Sequence, residues 1–381
     1  MKVVVAIDSL KGSLTSIEAG NAIRDGIKKA DSTAEVIVRP LADGGEGTME
    51  ALVSGLGGEL ISLQVQGPLE EKVTAQYGYI IETKTAIIEM AAAAGITLVP
   101  HDKRPLDATT YGVGELIKDA LGRGCRHFII GIGGSATNDG GIGMLQALGY
   151  EFLDESGKQI PTGAKGLSRI AGISDEKRLA ELKNCQFQIA CDVNNPLCGM
   201  QGATYIYGPQ KGVTEEMKKS LDEDMLHYGR FAAEFTRRDF IMAEGAGAAG
   251  GLGFAFLTFL NGKLQSGIEL VMKAVKLEEC MRNADFVVTG EGRLDHQTAM
   301  GKGPVGVAKL GKKNGAITIA LAGSIAPGAE KCNEEGIDSY FPILTQIVTL
   351  DEAMDPDTAR KNMERTTEQI FRLILTVKGK I

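Results

Sequence analysis

Residues 2–7 read KVVVAI, a nearly unbroken apolar run that stops at Asp8. Such a run predicts a strand buried on both faces of a parallel sheet, because an exposed face would show alternation. Ile17, Ala19, Ala22, Ile23, Ile27 and Ala30 then recur at helical spacing and predict a helix from about Thr15. EVIVRPL (35–41) predicts a second strand, followed by the loop ADGGEG and a helix from about Thr48. This is a β-loop-α repeat. The pattern changes over 58–91, where consecutive strand-like runs have no helix between them, so antiparallel or mixed pairing is expected. A helix near 109–123 leads to HFIIGIGGSATNDGG (127–141), an apolar strand opening into a glycine-rich loop and a helix. Residues 151–184 read as irregular, and QFQIACDV (186–193) is again strand-like. From Asn283 the first pattern returns: DFVVTGEGRLD as strand then loop, 304–314 as helix, 316–325 and 337–344 as strands, 351–378 as helix.

The return of the opening pattern after a stretch of different character implies a discontinuous domain. Residues 1–62 and 286–381 are expected to form one parallel-sheet α/β domain, interrupted by a mixed α/β domain over 63–285. A chain of 381 residues exceeds the usual size of one hydrophobic core. Two domains create a cleft, which is where an active site is expected.

Fifty glycines in 381 residues is nearly twice the usual ~7%. They cluster beside apolar runs, so tight loops approaching a ligand explain them better than disorder. The net charge of −8 and the lack of a dense Lys/Arg run argue against a nucleic-acid partner, which needs a basic face. Six scattered cysteines without a C-x-x-C pair read as reduced, mostly buried thiols. The apolar run before Asp8 is too short for a signal-peptide core, and no stretch approaches 18 uninterrupted apolar residues. No membrane partner and a cytoplasmic location are expected.

Three segments share one grammar, in which a strand ends, glycines follow and carboxylates sit among them; ligands of open α/β sheets bind outside such strand ends. In AIDSLKGSLT (6–15), Asp8 ends the strand, and Lys11 and Ser13 precede a helix start that could hold a phosphate or carboxylate. In PLADGGEGT (40–48), Asp43 and Glu46 bracket Gly44 and Gly45, a set suited to a divalent cation or a hydroxyl. In VVTGEGRLDHQTAMGKGP (287–304), Glu291, Arg293, Asp295 and Lys302 lie in one glycine-rich segment with the parts phosphoryl transfer needs. Its lone histidine, His296, reads as solvent-exposed. A fourth segment, Cys185 to Gly212, places Asp192 and Asn194 at a strand end before a Gly/Pro/Lys run that includes Lys211.

The Walker pattern G-x-x-x-x-G-K-[ST] is absent from the sequence, which disfavours a P-loop NTPase. GIGGSA (131–136) and GAGAAG (245–250) fit the permissive dinucleotide fingerprint, but the first continues into Asp139, where a pyrophosphate-binding helix prefers no acid. The glycines of the second suit close packing of a buried helix. A nicotinamide-dependent oxidoreductase is thereby disfavoured, as is a non-catalytic binding module, since acids stand at all three strand ends. Four scattered histidines make structural zinc a poor reading.

Taken together and in order, DSLKGSLTSIEAG, PLADGGEGT, GIGGSATNDGG, CDVNNPLCG with YGPQKG, GAGAAGGLG and TGEGRLDHQT closely resemble the bacterial glycerate kinase family of the first type, from Met1 to about Leu344. The resemblance implies ATP- and Mg²⁺-dependent phosphorylation of D-glycerate, a flavodoxin/Rossmann-like domain interrupted by a second α/β domain, and a cytoplasmic role in glyoxylate or sugar-acid breakdown. It implies 2-phosphoglycerate as product, with 3-phosphoglycerate as the alternative, and leaves monomer or homodimer open. Within that chemistry Asp192 is the expected hydroxyl-orienting base and Asp295 the second choice, with Lys11, Arg293 and Lys302 as cations. Asp43, Glu46 and Glu291 are candidate Mg²⁺ ligands. Gly133, Gly134, Ser135, Thr137 and Asn138 are expected to cradle phosphate, and Asp8, Ser13, Gly44, Gly45, Asn194 and Lys211 to complete the binding set.

Overall fold

A computed structural model describes residues 1–45, 47–100, 104–301 and 303–379. The chain divides into two compact units: Met1–Asp43 with Glu50–Leu56 and Ile268–Ile381, and Gly44–Met49 with Gly57–Gly267.

The first unit is built on a five-stranded, all-parallel sheet. Its strands run in the order Ser339–Pro342, Ile317–Ile325, Phe286–Leu294, Lys2–Val5, Glu35–Val38. Numbered within the unit this is 2-1-3-4-5, the flavodoxin-like order, whose strand direction of winding reverses between the first and third strands. The expected fold class is therefore found. Side chains of adjacent strand residues point to opposite faces, so Val3, Val5 and Ile7 share one face with Phe286 and Val288. There they pack with Ile23 and Ile27 of helix Ser16–Ala30 and with Met363 and Phe371 of helix Pro356–Val377. Burial of each such side chain contributes about 1.5–3 kcal/mol. On the opposite face Ala320 and Ala322 meet Val305 and Ala308 of helix Gly303–Lys313. The expected C-terminal helix is two helices, Leu350–Met354 and Pro356–Val377. The break is local chemistry: Asp355 caps the second helix by accepting from Thr358 N–H, and Pro356 lacks the N–H needed to continue the first.

The second unit holds a six-stranded mixed sheet in the order Lys263–Gln265, Gln186–Ala190, His127–Gly131, Thr85–Glu89, Lys72–Ile80, Glu59–Gln66. The first four strands are mutually parallel and the last two are added antiparallel, as the lack of helices over 58–91 predicted. Residues 151–184 contain a short antiparallel pair, Glu151–Leu153 with Gly172–Ser174, and single 3-10 turns. A 22-residue helix, Glu215–Thr236, buries Leu221, Met225, Tyr228 and Ala232. No described helix is long and apolar enough to cross a membrane.

Candidate active site

In the first unit the polar residues gather at the C-terminal ends of the strands Lys2–Val5 and Phe286–Leu294, which flank the switch point of the sheet. Asp8 follows the first strand and donates its N–H to Gly290 O at 3.0 Å, which seats it against the neighbouring strand. Its Oδ1 accepts the Ser9 N–H at 2.6 Å. The loop that follows is closed by reciprocal bonds between the Leu10 and Leu14 backbones and pinned by their buried side chains. Pinning both ends makes Lys11 project outward, with its ammonium 3.9 Å from Asp43. Thr15 and Glu18 then form a capping box that starts the helix.

Glu291 and Arg293, expected in a loop, belong to the strand Phe286–Leu294, in register with Ala322 and Ser324. Glu291 accepts the Thr298 hydroxyl at 2.5 Å. Asp295 caps the short helix His296–Ala299, its Oδ1 accepting from Gln297 N–H and Thr298 N–H at 2.8 and 3.3 Å, and lies 3.9 Å from Arg293. Lys302 and Glu46 lie outside the described residues.

These groups line a cavity of about 420 Å³. The lining includes the acids Asp8, Asp43, Glu291 and Asp295, the cations Lys11 and Arg293, and the serines Ser9, Ser13 and Ser324. It also includes the apolar residues Leu10, Ile343, Leu344, Leu350, Ala353 and Met354. The Ser13 Oγ is buried and has no hydrogen-bond partner among the described residues. Asp8 is only 9% exposed. Burial first, then the negative charge of Asp43 and to a lesser extent Glu291, push its carboxyl up to about 6, against the pull of Ser9 N–H and Lys11. Crowded oxygens of this kind suit a hard cation.

The second unit has its own cluster at the C-terminal ends of its four parallel strands. Asp192 follows the strand Gln186–Ala190, and its Oδ1 accepts the Gly267 N–H at 3.1 Å. Gly44 stands with φ of +90°, and a Cβ there would come within 2.8 Å of both Ala190 Cβ and Gly267 Cα. Only glycine lets this segment approach the strand ends so closely. Glu89, at the end of its strand, accepts the Met49 N–H at 2.8 Å and so ties the same segment down. Glu89 shares the strand-end position of the other acids, but MAAAA rather than glycines follow it in the sequence, so the glycine signal that marks the others is missing. Cys191, Asp192, Val193 and Asn194 line a pocket of about 360 Å³ with Glu244, Gly245 and Leu264–Ser266.

The glycine-rich loop after His127–Gly131 splits into two kinds of residue. Gly133 and Gly134 are exposed and Ser135 is half-buried, whereas Thr137 and Asn138 are buried. The Asn138 amide donates to Thr204 Oγ1 at 3.0 Å. Asp139 is fully buried and accepts from Thr110 N–H and Oγ1 and from Gly141 and Gly143 N–H. Burial pushes its carboxyl up, with those four donors pulling the other way. The loop also rests on GAGAAG: Gly140 donates to Gly250 O at 2.9 Å, and a Cβ on Gly250 would collide with the Thr137 carbonyl. Lys211 is 2% exposed, and its ammonium reaches the loop from inside, donating to Ser135 Oγ at 2.8 Å and Thr137 O at 2.6 Å. Burial pulls Lys211 down to about 7, opposed by the Asp139 charge.

Comparison with known proteins points in one direction. The model of the glycerate kinase family matches residues 3–375. A glycerate kinase of Bacillus subtilis strain 168 is 46% identical over 379 residues, covering 99% of both chains. A glycerate 2-kinase of Escherichia coli K12 is 46% identical over 354 residues, 93% of each chain. A solved structure of glycerate kinase 2 from Salmonella typhimurium LT2 superposes with a TM-score of 0.92 at 42% identity, covering 100% of this chain and 99% of that one.

Proposed function

The chain belongs to the glycerate kinase family, and from that membership we propose that it transfers the γ-phosphoryl group of ATP to a hydroxyl of D-glycerate, releasing ADP. The observation that carries the reading is the first-unit cavity, whose lining combines Asp8, Asp43 and Glu291 with Lys11, Arg293 and apolar residues. Phosphoryl transfer requires positioning and charge compensation more than covalent chemistry, and this cavity supplies both.

We assign the nucleotide to that cavity. Its volume of about 420 Å³ lies within the usual range for small-molecule sites. Leu10, Ile343 and Leu350 suit the base, while Lys11 and Arg293 suit phosphate oxygens. Asp8, Asp43 and Glu291 are the residues that would hold Mg²⁺, which when bound offsets the charge of the phosphate oxygens. Among the described residues no three acidic, histidine or cysteine side chains form a metal cage alone. Phosphate oxygens therefore complete the ligand set in this reading, as is usual for Mg²⁺.

Asp192 orients the attacking hydroxyl and takes its proton. It is solvent-accessible just after the strand Gln186–Ala190, with its Oδ1 seated on Gly267 N–H, whereas Asp295 serves as the cap of the helix His296–Ala299. Asn194 and the exposed Gly133–Ser135 segment serve the oxygens of the substrate. The 2-hydroxyl is the acceptor in our reading, supported by the 46% identity to the E. coli glycerate 2-kinase; transfer to the 3-hydroxyl is the alternative. A cytoplasmic role in glyoxylate breakdown belongs to the same reading.

The test is ADP release with Mg-ATP and D-glycerate, the product being divided by adding enolase alone or phosphoglycerate mutase with enolase. Signal with enolase alone establishes 2-phosphoglycerate, and signal only with the mutase establishes 3-phosphoglycerate. ADP release no greater than in the glycerate-free control removes the substrate assignment.

A further inference from the structure

Lys211 is buried behind the glycine-rich loop, yet it donates to a residue whose other side is open. Its ammonium bonds to Ser135 Oγ at 2.8 Å and to Thr137 O at 2.6 Å. The loop it grips is already fixed from beneath by the bonds to Asp139 and by the close approach of Gly250. A lysine side chain is costly to bury and is retained only where its donors are used. Holding the backbone would need the Thr137 bond alone. The Ser135 bond does something more. In its ammonium form Lys211 has donors and no lone pair, so the serine oxygen is then the acceptor and the hydroxyl proton is turned to another acceptor. Gly133 and Gly134, on the same turn, are exposed, and Ser135 is half-buried.

We propose that Lys211 is a positioning residue that polarises the Ser135 hydroxyl, so that Ser135 donates a strengthened hydrogen bond to an anionic oxygen of a substrate bound at the Gly133–Ser135 segment. Chains of hydrogen bonds reinforce one another in a low-dielectric interior, and a cation at the buried end gives the chain its direction. The buried Asp139 favours the charged form of Lys211 against the effect of burial, and the serine is the part that reaches the ligand. The ligand class is an oxyanion, either the carboxylate of the acceptor or a phosphate of the nucleotide. The proposal rests on the kinase reading for the identity of those ligands, but its test does not need turnover.

Binding of D-glycerate and of a non-hydrolysable ATP analogue is measured by calorimetry on the native protein and on Ser135→Ala, Ser135→Thr and Lys211→Met, with KM for each substrate measured alongside. Ser135→Ala is expected to weaken one ligand about tenfold or more while leaving the other within twofold, as loss of a charge-assisted hydrogen bond would do. Ser135→Thr keeps the hydroxyl and is expected to restore binding. Lys211→Met is expected to weaken the same ligand, and the double substitution to be no worse than the weaker single, because the two groups act in series. Weakened glycerate identifies the carboxylate, and weakened analogue the phosphate. Native affinity for both ligands in Ser135→Ala overturns the proposal, as does a double substitution whose loss is the product of the two singles. Should Lys211→Met fail to fold, the two serine variants decide the matter. A native enzyme that binds D-glycerate without releasing ADP would count against the kinase reading and leave this comparison intact.

Discussion

The Thr298 hydroxyl donates to Glu291 Oε1 at 2.5 Å while its oxygen accepts the Asp295 N–H at 3.1 Å. One buried side chain thus couples a carboxylate on the strand Phe286–Leu294 to the cap of the following helix. Thr298→Val keeps the shape and removes the hydroxyl, so both bonds are lost together. Stability should fall by about 1–2 kcal/mol, the usual cost of losing a cap with a buried partner. If Glu291 faces the nucleotide as proposed, KM for Mg-ATP should rise as well. Thermal denaturation with steady-state kinetics checks both, and an unchanged KM would reduce Thr298 to a capping role.

Asp8 gives a pH dependence whose sign follows from its environment. Its carboxyl is pushed from an ordinary value near 3.8 up to about 6 by burial and by Asp43. A raised carboxyl means that ionisation costs the folded state, so stability is fully present below about pH 4 and is lost as pH rises through about 6. The cost at neutral pH is about 2–3 kcal/mol. Asp8→Asn keeps the Oδ1 acceptor for Ser9 N–H and removes the charge. The variant should therefore be more stable than the native protein at pH 8 but not at pH 4, while its activity falls at least about tenfold. Denaturant titrations at the two pH values give the comparison. An Asn variant less stable at pH 8 would contradict the electrostatic account.

Lys11 and Arg293 should behave oppositely to Asp8. Their side chains are 72% and 65% exposed, and their ion pairs with Asp43 and Asp295 are both 3.9 Å long. Such pairs contribute little to stability. Lys11→Met and Arg293→Met are thus expected to leave stability within about 0.5 kcal/mol of native. If the two cations serve phosphate oxygens, KM for Mg-ATP should rise about tenfold or more in each, with the rise shrinking at high salt. A large loss of stability in either variant would mean that the side chain has a structural duty the geometry does not suggest.

The positions of the buried strands are readable because such strands announce themselves as apolar runs, and the acids at their ends follow from where the runs stop. KVVVAI ending at Asp8 is the plainest case. What the sequence hid depends on distance along the chain or on direction in space. Lys211 in a Gly/Pro run looks like a solvent-facing phosphate ligand, but Ser135, 76 residues earlier, receives its ammonium from the inside. Thr137 and Asn138 share a loop with Gly133 and Gly134 and still point inward, since the loop is braced by Asp139, whose partners start at Thr110. Glu291 and Arg293 read as loop residues because glycines surround them, whereas pairing with Ala322 and Ser324 extends the strand through them. The helix Glu215–Thr236 carries its signal in Leu221, Met225, Tyr228 and Ala232 at helical spacing, within an otherwise charged segment. The Asp355-Pro356 break was also legible in hindsight as a cap followed by a proline.

Asp192 offers the most direct reading of the chemical step. Its Oδ1 accepts the Gly267 N–H, and an asparagine can present the same carbonyl oxygen to that donor. Asp192→Asn should therefore fold as the native protein does, with binding of D-glycerate within a few-fold of native. What it loses is the capacity to take a proton from the attacking hydroxyl. General-base catalysis contributes about 10²–10⁴-fold, so kcat should fall by that order while KM changes little. The adjacent thiol gives an internal control, because Cys191 donates to Val193 O at 3.4 Å and burial pushes it up, away from a reactive thiolate. Cys191→Ser should keep kcat within a few-fold of native. A kcat for Asp192→Asn equal to that of the native enzyme would take Asp192 out of the base role and leave Asp295, the second choice, to fill it.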